Sequence, residues 1–366
     1  MSSSIRKIGV LTGGGDAPGL NAVIRAVVKT AGTVYGWSVL GIEDGFEGLM
    51  GESQTVPLGS QEVRGLLPRG GTILGSVNRG HFGVHEVDGC MVKNEAAYEE
   101  AFNNFKRLGL DALVVIGGEG SQRIAYDFSQ MGVPIVGVPK TIDNDLVGTD
   151  LTFGFDTALD IATEAIDRLH TTAESHDRVI FVEVMGRNVG WIALQAGIAG
   201  GADVILLPEI PFSSEKIAAK IAERGSQGRH FSIVVVAEGA TAAHGLQSYR
   251  DAGGPDRVAR LGGIAERVAE DVARYCAKEM RVVVLGHLQR GGTPTAFDRM
   301  LASCFGSAAV RAIAGGHTSS MVGWSCNEVV VVPLERCVQG VKVVPPDHQL
   351  ITAARDLSIS FAGEED

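Results

Sequence analysis

Ala112-Leu113-Val114-Val115-Ile116-Gly117-Gly118-Glu119-Gly120-Ser121 is an apolar run that ends in a glycine turn, and Gln122–Met131 behind it reads as a helix. Every position of the run is apolar, not every second one. Such a strand is covered on both faces, the usual condition of a parallel strand flanked by helices. The order recurs near the start of the chain, where Ile8–Thr12, a glycine turn and the helically spaced Leu20–Ala31 follow one another. Pro134–Val138, Val179–Val184, Val204–Leu207, Ser232–Ala237 and Val282–Leu285 are further apolar runs of strand length. Together they predict an α/β protein of two doubly wound, mainly parallel-sheet domains with no internal repeat.

The 366 residues suit two domains of ordinary size. A net charge of -11 argues against nucleic acid or a membrane surface as partner, since both attract a basic face. No apolar run reaches the length of about 18 that a membrane helix needs. Met1–Lys7 is too short and polar for a secretory leader, so a cytoplasmic protein is expected. Cys90, Cys276, Cys304, Cys326 and Cys337 are scattered without metal-ligand spacing and are expected to be free thiols. The Gly- and Ala-rich stretch Thr241–Asp256 reads as a mobile surface loop, and Gly363–Asp366 as a loose acidic tail.

Three glycine groups stand out among the 49 glycines: Gly13–Gly19, Gly70–Ser76 and Gly117–Ser121. Loops of this kind present backbone N–H groups and a helix N-terminus to anions such as phosphates. None fits GxxxxGK[ST] or GxGxxG, and each alone is also what a tight turn without a ligand requires. Three in one α/β chain favour a phosphate site, because ligands of such sheets bind at the carboxyl ends of strands. Glu119 is a carboxylate inside one of these loops. Either it caps the loop, or a divalent cation removes its repulsion from a polyphosphate, which implies Mg²⁺. Pro139-Lys140-Thr141-Ile142-Asp143-Asn144-Asp145 follows a strand and gathers two Asp, a Thr and a Lys. A carboxylate there is either a turn cap or a general base toward an attacking hydroxyl. Arg178, Arg187, Arg281, His287 and Arg290 flank apolar runs, as residues lining an anion-binding cleft would.

These segments resemble the 6-phosphofructokinase family: Gly9–Asn21, Gly117–Ser121, Pro139–Asp145, Val182–Arg187 and Leu285–Gly292, in order along the match from Ile8 to about Val310. The resemblance implies transfer of the γ-phosphoryl of ATP to the 1-hydroxyl of fructose 6-phosphate, in a cleft between the two domains. It implies that Gly14, Gly118, Gly120 and Ser121 contact the donor phosphates and that Glu119 holds Mg²⁺. Asp143 would be the base, and Thr141, Arg187 and Gly14 would place and neutralise the transferred group. Ile142, Met185, Gly186, Arg187, Glu238, His287, Leu288, Gln289 and Arg290 would bind the sugar phosphate. Arg178 and Arg281 would reach it from a neighbouring subunit, so a homo-oligomer, tetramer or dimer, is implied, with family-type allosteric control. The donor domain would span residues 1–155 and 289–339, and the sugar domain 156–288 and 340–366.

Three departures from the family pattern matter. The metal carboxylate, usually Asp, is Glu119, as in a bacterial subgroup. The nucleotide-contacting Arg is shifted, which leaves both Asn78 and Arg79 as candidates. ATP users carry Gly at the positions of Gly120 and usually of Lys140, while pyrophosphate users carry Asp and Lys there. Gly120 with Lys140 is a mixed pair, read as ATP-dependent with pyrophosphate as the alternative. A lipid or NAD kinase would lack the Asp143 and His287–Arg290 segments. A non-catalytic nucleotide-sensing relative would have no need of Glu119, Asp143 and Arg187 together.

Overall fold

The computed structural model describes residues 5–78, 80–82, 85–87, 90–243, 249–251 and 260–364. Arg79 and most of the 241–256 stretch therefore lie outside the described residues, as do Glu365 and Asp366. At the foot of the chain, the Gly363 carbonyl accepts a hydrogen bond from Lys216 Nζ. No helix among the described residues is long and apolar enough to cross a membrane. Cys276, Cys304, Cys326 and Cys337 are free thiols.

The chain divides into two compact units, one of Met1–Thr157 with Arg290–Val341 and the other of Ala158–Gln289 with Lys342–Asp366. The first is built on seven strands in the spatial order Glu328–Pro333, Ser320–Ser325, Ile135–Pro139, Ala112–Gly117, Lys7–Gly13, Ser38–Ile42 and Thr55–Leu58. The inner pairs are parallel, with Val10 opposite Val114 and Val114 opposite Val136. Only the two outermost strands run antiparallel. Ile8, Val10, Val114 and Ile116 pack on one face with the helices Leu20–Thr30 and Ala296–Ala314. Leu11, Leu113 and Val115 pack on the other with Glu95–Arg107 and Glu119–Gln130. Burial on both faces is why these strands read as continuous apolar runs.

The second unit carries four parallel strands in the order Met280–Val284, Val179–Val184, Ser232–Ala237 and Val204–Leu206. Val179, Phe181, Val234 and Val236 pack with Ile217 and Ile221 of the helix Ser214–Ser226 and with Val268 and Val272 of Ile264–Val272. Both units thus show the predicted α/β class. The helix after the Gly117–Gly118 turn begins at Glu119 and not at Gln122, so the loop's acid stands in the first turn. A carboxylate is favoured there because it meets the positive end of the helix dipole.

Candidate active site

In the first unit, the carboxyl ends of three adjacent strands carry the donor-type motifs. Lys7–Gly13 runs into Gly14, Ala112–Gly117 into Gly118–Ser121, and Ile135–Pro139 into Lys140–Asp145. Ser121 is the wedge between the first two. A Cβ at Gly13 would stand 2.6 Å from Ser121 Oγ, and one at Gly117 2.3 Å from Ser121 Cβ. Only glycine lets the two strand ends approach so closely. A Cβ at Gly120 would meet no atom within 4 Å beyond its own turn of helix, so this position opens into free space.

The first glycine loop is held by its carbonyls. Ser76 Oγ donates to Gly14 O at 2.5 Å, Lys140 Nζ donates to Gly15 O, and Arg290 Nη1 donates to Asp16 O at 3.1 Å. Gly14 itself adopts φ 78° and donates its N–H to Val77 O at 3.2 Å. The Gly70–Ser76 group is tied to the same strand end, since Thr12 Oγ1 donates to Gly75 O at 2.6 Å. Asn78 is exposed directly after Val77. Gln122, fully buried, donates through Nε2 to Gly117 O at 3.0 Å and to Val138 O at 3.1 Å. It staples the strand ends that carry Glu119 and Lys140. Neither Ser76 nor Gln122 was singled out from sequence. The signal available for Gln122 was a polar residue on the apolar face of its helix.

Glu119 has a side chain 39% exposed, with Arg123 Nη2 at 4.0 Å. Among the described residues no group of three or more His, Cys, Asp or Glu could cage a metal ion. One accessible carboxylate suits an ion that keeps its waters and takes its other ligands from phosphates, which is the habit of Mg²⁺.

Lys140–Asp145 is buried throughout, with Asp143 only 3% exposed. Asp143 N–H donates to Thr141 Oγ1 at 3.0 Å, Ile142 is in the core, and Asn144 has φ 52°. Burial, assisted by the Arg290 charge, lowers the Lys140 ammonium from its usual range to about 8, against the opposing pull of Asp143, Asp145 and Asp16.

In the second unit, the other motifs also gather at carboxyl ends of adjacent strands. Met185, Gly186 and Arg187 follow Val179–Val184, Glu238 follows Ser232–Ala237, and His287, Leu288 and Gln289 lie in a short turn after Met280–Val284. Glu238 Oε1 accepts from Gly186 N at 3.3 Å and Arg187 N at 2.9 Å, and Gln289 Oε1 accepts from Met185 N at 2.8 Å. Arg187 has φ 51°, and both it and His287 are exposed. Arg290 belongs to the first unit, against the glycine loop.

Arg178 and Arg281 do not join this cluster. They stand at the amino end of the same sheet, where strands six residues long leave roughly 20 Å to the carboxyl ends. Both guanidinium groups converge on Glu279: Arg178 Nε donates to its Oε2 at 2.7 Å, and Arg281 Nη2 donates to Oε1. The Arg178 hydrogen bond leads in holding the Glu279 carboxyl below its usual range. Sequence reading missed Glu279, because its link to Arg178 spans 101 positions.

The phosphofructokinase family model matches residues 7–313. The chain is 55% identical over all of its length to an ATP-dependent 6-phosphofructokinase of Chloroflexus aurantiacus, also covered in full at 100%. It is 49% identical over 93% of its length to a pyrophosphate–fructose 6-phosphate 1-phosphotransferase of Amycolatopsis methanolica, of which 97% is covered. Among solved structures, Pichia pastoris phosphofructokinase in the T-state superposes with a TM-score of 0.79 at 34% identity over 97% of this chain. The chain spans only 37% of that longer yeast polypeptide. With the glycine loops and the Asp143 segment on neighbouring strand ends and relatives matching end to end, the chain belongs to the phosphofructokinase family.

Proposed function

We propose that the protein is an ATP-dependent 6-phosphofructokinase, a kinase of glycolysis that converts fructose 6-phosphate to fructose 1,6-bisphosphate. The observation that carries this reading is the convergence of Gly14, Glu119–Ser121 and Asp143 at three adjacent strand ends of one unit, with free space at Gly120.

Phosphoryl transfer asks for positioning and charge neutralisation more than for covalent chemistry. Asp143 accepts the proton of the sugar 1-hydroxyl as that oxygen attacks phosphorus in line, and the phosphorus–oxygen bond to the ADP leaving group breaks. Thr141 and Ile142 shape the attack site. Backbone N–H groups of Gly118, Gly120 and Ser121 meet the donor phosphates, Gly14 lets the first loop approach them closely, and Asn78 or Arg79 contacts the nucleotide. Mg²⁺, held by Glu119 and the phosphates, supplies charge neutralisation when bound. Arg187 balances the transferring group. Met185, Gly186, Glu238, His287, Leu288, Gln289 and Arg290 hold the sugar phosphate, joined by Arg178 and Arg281 of a second copy. That sharing makes a homo-oligomer, tetramer or dimer, part of the proposal, together with cytoplasmic location and allosteric control.

Pyrophosphate as donor is the second reading, favoured by the name of the Amycolatopsis relative. Steady-state rates with ATP and with pyrophosphate, at fixed fructose 6-phosphate and Mg²⁺, decide between them. The proposal expects kcat/KM for ATP to be far the larger, with ADP released one for one. Activity with pyrophosphate alone would overturn it.

A further inference from the structure

We propose that Thr152 is a positioning residue for Asp143, acting through the Thr141 carbonyl; the inference rests on Asp143 being the base. Thr152 is 2% exposed and its Oγ1 donates to Thr141 O at 2.7 Å. The same oxygen lies 3.4 Å from Asn144 Oδ1. The hydroxyl thus touches the residues on both sides of Ile142–Asp143. The bracketed segment also carries a left-handed non-glycine residue, Asn144 at φ 52°. Such a backbone persists only where its surroundings over-determine it.

Thr152 can act as a brace because its own segment is fixed. Phe153, fully buried in the core, makes a parallel backbone bridge to Lys140. One residue further on, Gly154 N–H donates to Asp298 Oδ1 at 2.8 Å. Asp298 is fully buried and its Oδ2 also accepts from Thr157 N at 2.8 Å and from Thr157 Oγ1 at 2.5 Å. Its helix, Ala296–Ala314, packs on the central sheet with Leu301 and Phe305. The line of restraint runs from the core through Asp298 and Gly154 to Thr152, and from its hydroxyl to the Thr141 carbonyl. Asp143 is thereby held at one place against an attacking hydroxyl, where a misplacement of about 1 Å costs on the order of 10²-fold in rate.

Thr152→Val keeps the shape and removes the O–H. With the full chain, ATP, Mg²⁺ and fructose 6-phosphate, we expect kcat to fall roughly tenfold, a fraction of that positional penalty, while both KM values stay within about twofold. Thr152→Ser keeps the O–H and should return most of the rate. A role in packing alone would make the Ser variant at least as impaired as the Val variant. Wild-type kcat in Thr152→Val, equal loss in both variants, or an effect confined to KM would each overturn the inference. Should Thr152→Val fail to fold, Thr152→Ala against Thr152→Ser makes the same comparison. Asp143→Asn is measured alongside. If it keeps its rate, the reading of the base falls and the brace with it. If it is inactive while Thr152→Val is fully active, the brace alone falls.

Discussion

The ammonium group of Lys140 donates its hydrogen bond to the carbonyl oxygen of Gly15, across 125 positions of sequence. The lysine that resembles a pyrophosphate user's is therefore engaged with the backbone of the first glycine loop. Three successive carbonyls of that loop, those of Gly14, Gly15 and Asp16, are taken by Ser76, Lys140 and Arg290. A lysine spent in this way fixes the loop's shape and is compatible with either donor, which leaves position 120 as the discriminator.

Gly120→Asp should collapse the use of ATP. Nothing beyond its own turn of helix lies within 4 Å of a Cβ there, so the fold accommodates the new side chain and any loss belongs to the donor. A carboxylate beside a donor phosphate is a like-charge contact costing several kcal/mol, roughly 10²-fold or more in kcat/KM for ATP. Lys140→Gly should keep ATP as donor. Rates with both donors check this, with melting temperature as the control. Unchanged ATP use in Gly120→Asp would remove position 120 from the argument.

Asp143→Asn should lower kcat by on the order of 10²-fold or more, since the amide cannot take the proton. Fructose 6-phosphate binding, followed by equilibrium titration, should survive. A near wild-type kcat would exclude the role.

Asp298 gives a pH-dependent prediction for stability. Burial raises its carboxyl from 3.8 to about 6, against the lowering effect of hydrogen bonds from Thr157 and Gly154 and with a smaller raising effect of Asp156. Folding therefore favours the protonated form. The contribution of Asp298 to stability is full below about pH 4, declines as pH rises toward 6 and is flat above that. Asp298→Asn does not titrate. The stability of wild type relative to this variant should improve, by on the order of 1 kcal/mol, between pH 7 and pH 5. Urea unfolding at the two pH values measures it, and a gap independent of pH would mean that Asp298 does not titrate in this range.

What was legible in the sequence follows from where the information sits. Ala112–Ile116 declared itself because a strand buried on both faces is apolar at every position, and Val179–Val184 because it is apolar at all but the buried Glu183. The antiparallel edge strand Thr55–Leu58 did not, being four residues long, half-buried and interrupted by Pro57. The helix start at Glu119 was read three residues late because its first three residues belong to the glycine group, and Gly118 before it provides no side-chain cap. The candidate residues were legible as segments. Their partners were not: Glu279 for Arg178, Gln122 for Gly117 and Val138, and Thr152 for Thr141 are pairings that only the folded backbone creates.

Arg178 and Arg281 give the last prediction. They face Glu279 at the opposite end of their sheet from Arg187 and His287, so one chain cannot bring all four to one phosphate. If they serve a second copy, Arg178→Ala and Arg281→Ala should each raise KM for fructose 6-phosphate roughly tenfold or more, the worth of a charge-assisted bond, and leave KM for ATP nearly unchanged. Glu279→Gln should act the other way. Loss of the competing carboxylate frees both forks, and KM for the sugar phosphate should drop about twofold to fivefold, in keeping with the small worth of an exposed ion pair. The decisive arrangement is a mixture. Arg178→Ala and Arg187→Ala subunits are each defective alone, but when dissociated and reassembled together they create some sites in which both arginines are intact, each from a different chain. Activity should reappear in the mixture well above the sum of the parts. If mixing restores nothing although hybrids are shown to form by mass, the two arginines act on their own chain or not on the substrate at all.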